Sequence, residues 1–249
     1  VTTEKLHKIL ARCGVASRRK CENLIREGRV TVDGHVVRDV AVRFDPSVSR
    51  ILVDGETIRE PKKIHLLFYK PRGVVCTNYE GETKPRVIDF FRGYEERLYT
   101  VGRLDEDSEG LILVTNDGDF AEAVAHPRHG VAKMYEVLVA GNVRPDDVER
   151  IGRGVWIADG KTDVSSVRLV KRKPEATLLR VTLREGRNRE VRRIFARLGY
   201  RVRRLRRVGI GSLGIGSLKP GRHRRLRADE IRELLGSTQI RADEDLTEG

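Results

Sequence analysis

Two segments, RVTVDGHVV (29–37) and RILVDGETI (50–58), each set an Asp-Gly pair between short apolar stretches. Asp-Gly suits the two positive-φ positions of a type I′ turn, so the first segment reads as a β-hairpin and the second repeats its signal. Both follow two helical patterns. Leu6, Ile9, Leu10 and Cys13 recur at i, i+3, i+4 and i+7, with Gly14 as a stop. Ser17 is placed to cap a second helix carrying Cys21, Leu24 and Ile25 on one face and ending at Gly28. Helix, turn, helix and hairpin within 60 residues define a small module with its own core. Its helices carry Lys8, Arg12, Arg18, Arg19 and Lys20 on their polar sides.

The stretch REPKK (59–63) reads as a linker. Beyond it, strands are expected at 64–69, 73–77, 111–115, 134–140, 166–171 and 177–184. Helices are expected at 119–126, 145–152, 188–198 and 228–235. Strands and helices do not alternate regularly, which predicts an α+β domain with a mixed, largely antiparallel sheet and flanking helices. The expected division is 1–60, 61–237 and an acidic, disordered tail at 238–249.

Formal net charge is +13 over 249 residues. Residues 184–227 hold 16 Lys and Arg against Glu185 and Glu190, so the basicity belongs to one segment. A concentration of one sign points to a polyanion, and arginine suits bidentate phosphate contacts. Arg187, Arg189, Arg203, Arg204 and Arg207 are the candidate contacts. No apolar run approaches the ~18 residues of a membrane span. Glu4 in the amphipathic N-terminus argues against a secretory signal, so a cytoplasmic location is expected. Cys13, Cys21 and Cys76 give neither a disulfide framework nor a zinc knuckle.

Against this background, VGRLDEDSEGLILVTNDGDF (101–120) concentrates six acids around the apolar run Leu111 to Val114. Three readings compete. Asp105, Asp107, Glu109 and Gly110 fall at positions 1, 3, 5 and 6 of a calcium loop, but position 12 is Asn116, where a Glu is needed, so no metal is expected. Asn116-Asp117-Gly118 is a turn, and Asp119 can cap the helix that follows. Asp105 stands apart: it follows Gly102-Arg103-Leu104 and precedes a strand, which suits a fixed strand-loop junction.

In the N-terminal module, EKLHKILARCGVASRRKCENLIREGRVTVDGHVV resembles the S-four RNA-binding module; a DNA-binding helix-turn-helix would share only its first two elements. GRLDEDSEGLILVTNDGDF, KMYEVLVAG (133–141) and LREGRNREVRRIFARLGYRVRRLRRVGIG (183–211) are similar to the catalytic stretch, the Lys-x-Tyr motif and the basic helix segment of pseudouridine synthases that modify ribosomal RNA. The wording is nearest the large-subunit synthase B group of that family. The resemblance implies that Asp105 is the nucleophile, Tyr135 lines the base pocket and Arg192 pairs with the aspartate. Val191 would pack beneath the tyrosine beside Leu104. Two readings stand for Arg103, filling the gap left by a flipped base and a plain surface charge.

The implied reaction breaks the bond from ribose C1′ to uracil N1, turns the base and rejoins C1′ to C5. Nothing is oxidised or added, so no cofactor is expected. One carboxylate must stay anionic, and a neighbouring guanidinium would keep it so. Whether Asp105 attacks C1′, adds to C6 or assists loss of the C2′ proton is left open. The expected partner is ribosomal RNA, free or in a pre-ribosomal particle, with no membrane and no DNA, and the protein acting as a monomer. The competing readings are a non-catalytic RNA-binding assembly factor and the same reaction on small-subunit RNA.

Overall fold

The computed structural model describes residues 3–244. The chain divides into two compact units. One comprises the residues up to Ile64 with Gly93–Leu98 and Asn116–Gly118; the other comprises His65–Arg92, Tyr99–Thr115 and the residues from Asp119 onward.

In the first unit, α1 (Leu6–Arg12) and α2 (Arg18–Arg26) pack with the strands β1 (Val30–Val32), β2 (His35–Val37), β3 (Ile51–Val53) and β4 (Glu56–Thr57). Ser17 Oγ accepts the Lys20 N–H at 3.3 Å, capping α2. Asp33 and Asp54 have φ of 51° and 52°, each followed by a positive-φ glycine, so both Asp-Gly pairs make the expected turns. The strands run in the order β2-β1-β3-β4, all antiparallel. Leu6, Ile9, Leu10, Cys21, Ile25, Val30, Val32 and Ile51 form the core, which is the sequence-predicted helix faces closed by the strand residues.

The second unit is built on a mixed, mostly antiparallel sheet. Its strands are β5 (His65–Lys70), β6 (Tyr99–Val101), β7 (Glu109–Thr115), β8 (Lys133–Ala140), β11 (Val164–Lys173), β12 (Ala176–Leu183), β13 (Val202–Ile210), β14 (Leu213–Gly214) and β15 (His223–Arg225). A separate small hairpin, β9 (Trp156–Ile157) with β10 (Gly160–Lys161), lies before β11. The main path is β11-β12-β8-β13-β7-β5-β15, and only the β13–β7 ladder on it is parallel. Helices α3 (Gly118–Ala125), α4 (Pro145–Gly152), α5 (Glu190–Arg197) and α6 (Ala228–Glu244) flank it. Leu67, Leu111, Leu113, Phe120, Val124, Ile210 and Leu234 join sheet, α3 and α6 into one apolar cluster.

Three expectations change. Residues 73–77 form no strand; Val75 makes an isolated bridge to Arg86, because Lys70 Nζ donates to the carbonyls of Pro71 (2.9 Å) and Val74 (2.7 Å) and turns the chain. Residues 202–210, which follow the expected helix at 188–198 and carry no expected element, are a central strand. Helix α6 runs on to Glu244, nine residues past its expected end; the last part of the expected tail, 245–249, lies outside the described residues.

Candidate active site

Three pieces of the second unit meet at one cavity of about 260 Å³. The first is the connection from β6 to β7. Gly102 (φ 69°) turns the chain out of β6, and the Ser108 N–H closes a turn on the Asp105 carbonyl at 3.1 Å. The loop is fastened from outside by the Gly73 N–H on the Glu106 carbonyl (2.8 Å) and by the Leu104 N–H on Cys76 Sγ (3.4 Å). Behind it, Gly110 (φ 106°) pairs with Arg207 across the parallel ladder. A Cβ there would lie 2.2 Å from the Arg207 carbonyl oxygen, so only glycine lets the strands approach. Asp105 is thereby held on a braced turn, with its side chain 29% exposed.

The second piece is β8. Its burial alternates, so Lys133 and Tyr135 share the buried face. Tyr135 pairs with Val181 on one side and Arg207 on the other. The third is the entry to α5. Arg189 adopts φ 48° as N-cap, and Glu190 Oε2 accepts the Arg187 N–H at 3.1 Å. This bend directs Arg187, Arg189, Glu190 and Val191 to the cavity wall.

The wall carries unusual electrostatics. Lys133, Glu190 and Arg207 are all buried there. Burial pushes the Lys133 ammonium down to about 8, with Arg207 adding and Glu190 opposing. Burial pushes the Glu190 carboxyl up, against the Arg187 N–H. Arg207 Nε donates to the Leu111 carbonyl at 2.6 Å, while its second guanidinium nitrogen and Glu190 Oε1 are buried without a hydrogen-bond partner. A buried donor and acceptor left unsatisfied each cost roughly 1–3 kcal/mol, which a polar ligand would recover.

Residues 64–197 match the RNA pseudouridylate synthase family, and residues 4–48 match the S4 domain. The chain belongs to the RNA pseudouridylate synthase family. An uncharacterised RNA pseudouridine synthase of Mycobacterium leprae (strain TN) is 43% identical to this synthase over 92% of the chain and 91% of the relative. The ribosomal large subunit pseudouridine synthase B of Bacillus subtilis (strain 168) is 37% identical over 93% of the chain and 95% of the relative. Among solved structures, a crystal structure of a pseudouridylate synthase superposes with a TM-score of 0.65 at 28% identity, covering 92% of this chain and 99% of that one. The synthase is therefore an isomerase, and the fold and class implied by its motifs are those it has.

The synthase brings Asp105, Tyr135, Leu104, Val191, Arg103, Arg187 and Arg189 to one cavity. It does not pair Arg192 with Asp105. Arg192 donates to the Asp107 carbonyl (3.2 Å) and meets the Asp107 carboxylate (3.1 Å), while Arg189 bridges the two acids, 3.4 Å from Asp107 Oδ1 and 3.6 Å from Asp105 Oδ2. One helical turn separates the two arginines, and Arg189, at the left-handed cap, is the one beside Asp105. Burial pushes the Arg192 guanidinium down, Asp107 opposing.

The expected phosphate contacts also divide. Lys8, Arg18, Arg19, Lys20 and Arg203 are exposed. Arg12 is drawn into ion pairs with Glu4 (2.9 Å) and Glu60 (3.2 Å). Arg204 is paired with the buried Glu109, and Arg187 with Glu185. Arg207 is 5% exposed and belongs to the cavity, so it is corrected from a surface contact to a wall residue. Lys133 and Glu190 were missed as site residues. The available signal was the strand alternation, which puts Lys133 on the face of Tyr135.

Among the described residues, no helix is long and apolar enough to cross a membrane.

Proposed function

We propose that this synthase converts a uridine of large-subunit ribosomal RNA to pseudouridine, with Asp105 as the nucleophilic carboxylate. The observation that carries the reading is the convergence of the Asp105 carboxylate, the Tyr135 ring and the Arg189 guanidinium on one cavity walled by buried polar groups. The large-subunit assignment rests on the synthase B relatives of Bacillus subtilis and, at 39% identity, Yersinia pestis.

The target base leaves its stack, at a cost of a few kcal/mol, and enters beside Tyr135, whose ring stacks on it. Arg103, exposed at the cavity, takes the place of the flipped base. Lys133, Arg207 and Glu190 offer donors and an acceptor to its polar edge. The C1′–N1 bond breaks, C1′–C5 forms, C5 gives up its proton and N1 gains one, so atoms and electrons balance without a cofactor. Asp105 carries the carboxylate role of glycoside cleavage. Arg189 supplies the positive charge beside it, and Arg192 holds the loop through Asp107.

The test is release of tritium from 5-³H-uridine ribosomal RNA by the parent chain and by Asp105→Asn. The amide keeps the shape but cannot act as an anion. No release above background is expected, with RNA affinity and melting temperature retained. Turnover within tenfold of the parent would refute the assignment of Asp105, and pseudouridine appearing only in small-subunit RNA would refute the choice of subunit.

A further inference from the structure

Trp156, the chain's one tryptophan, is 68% exposed. It sits on β9, and its direct cross-strand partner on β10 is Lys161. Directly paired residues present their side chains on one face of a hairpin, so an exposed indole and an exposed ammonium stand side by side. The hairpin is not a loose appendage. Val155 and Thr162 at its base are buried, with the Val155 N–H on Thr162 Oγ1 at 3.0 Å and the hydroxyl on the Val155 carbonyl at 3.1 Å. At its tip, the Asp159 carbonyl accepts from Arg187 at 2.9 Å, and the Asp159 carboxylate pairs with Arg193 of α5. Arg193 neutralises the one acid of the tip, while Arg187 is itself paired with Glu185. Arg187 also lines the cavity that holds Asp105.

We infer that the β9–β10 hairpin is an RNA-stacking platform, on which an unpaired nucleotide flanking the target uridine lays its base on Trp156 and its phosphate by Lys161. One exposed aromatic by itself demands no partner; here the exposed ammonium of Lys161 paired beside it selects an anionic one. Indole offers the widest face for a base, and a neighbouring cation meets the phosphate of the same nucleotide. Continuity through Arg187 ties the platform to the cavity, so it deepens the reading of that site by naming a contact outside the flipped base. Stacking of this kind tolerates any base, so the platform adds affinity and register without reading sequence.

The experiment uses the full chain and a large-subunit ribosomal RNA transcript. Emission of Trp156 is followed during titration, beside the anisotropy of end-labelled transcript. Quenching with the same midpoint as the anisotropy is expected. Trp156→Ala should bind the transcript roughly 5- to 150-fold more weakly, and Trp156→Phe should restore part of the loss. Single-turnover tritium release at saturating RNA should stay within about twofold of the parent, because the platform does not touch the reacting atoms. Unchanged emission at saturation, or parent affinity in Trp156→Ala, would overturn the inference. So would sedimentation showing that Trp156→Ala dissolves a dimer without weakening RNA binding, which would assign the face to a second copy. The binding arms need no turnover. If the parent chain failed to release tritium yet showed the quench and the Trp156→Ala loss, the platform would stand and the proposed reaction would fall.

Discussion

Lys133 is 9% exposed on β8 and titrates near pH 8, against an ordinary lysine value of 10.5. The drop comes mainly from burial, and secondarily from Arg207, with Glu190 opposing. A fall from 10.5 to about 8 corresponds to about 3 kcal/mol against the charged form in the folded protein. Between those two pH values the unfolded chain binds the proton that the folded one has lost. Unfolding free energy should therefore rise with pH through that window, with a slope approaching ~1.4 kcal/mol per unit. Below about pH 8 both states are protonated and the full cost is present. Lys133→Met keeps a straight stem and removes the charge. At pH 7 it should stabilise the fold by up to about 3 kcal/mol, and the rise above pH 8 should flatten. Urea unfolding of both proteins at half-unit steps from pH 7 to 9.5 measures this, and the difference between them cancels the titrating groups that do not interact with Lys133. Two curves that run parallel in pH would show that Lys133 keeps an ordinary titration, and the reasoning about its burial would fail.

Two further outcomes follow from the same strands. Gly110→Ala forces a Cβ to within 2.2 Å of the Arg207 carbonyl at a φ of 106°, so it should cost about 3 kcal/mol or more and lower the melting temperature by several degrees; a melting temperature unchanged within a degree would contradict the close approach. Arg203→Gln should make the slope of log affinity against log salt shallower by about 0.7, one phosphate contact, while Arg207→Gln should leave the slope alone and slow single-turnover isomerisation. A slope reduced by Arg207→Gln would place that guanidinium on the RNA-facing surface instead of the cavity wall.

The sequence by itself determined the elements whose physics is local. The faces of α1 and α2, the Ser17 cap and the two Asp-Gly turns follow from periodicity and from backbone preferences that neighbouring residues settle among themselves. Asp105 and Tyr135 were legible through the motifs that resemble the family's, GRLDEDSEGLILVTNDGDF and KMYEVLVAG, and not through periodicity, which left Tyr135 an ordinary strand aromatic. Only the tertiary structure decided β13. RVRRLRRVGI (201–210) shows no alternation of apolar and polar residues, since its arginines occupy both faces. They are tolerated in a central strand because Glu109 meets Arg204, Glu136 meets Arg206 and the Leu111 carbonyl receives Arg207. Those partners lie 70 to 96 residues away in the chain, and a charge inside a sheet is affordable only once they are in place. The same holds at the cavity. Arg189, the N-cap of α5, lies beside Asp105 where Arg192 within the helix does not, and its left-handed backbone at φ 48° is not one an arginine favours by itself.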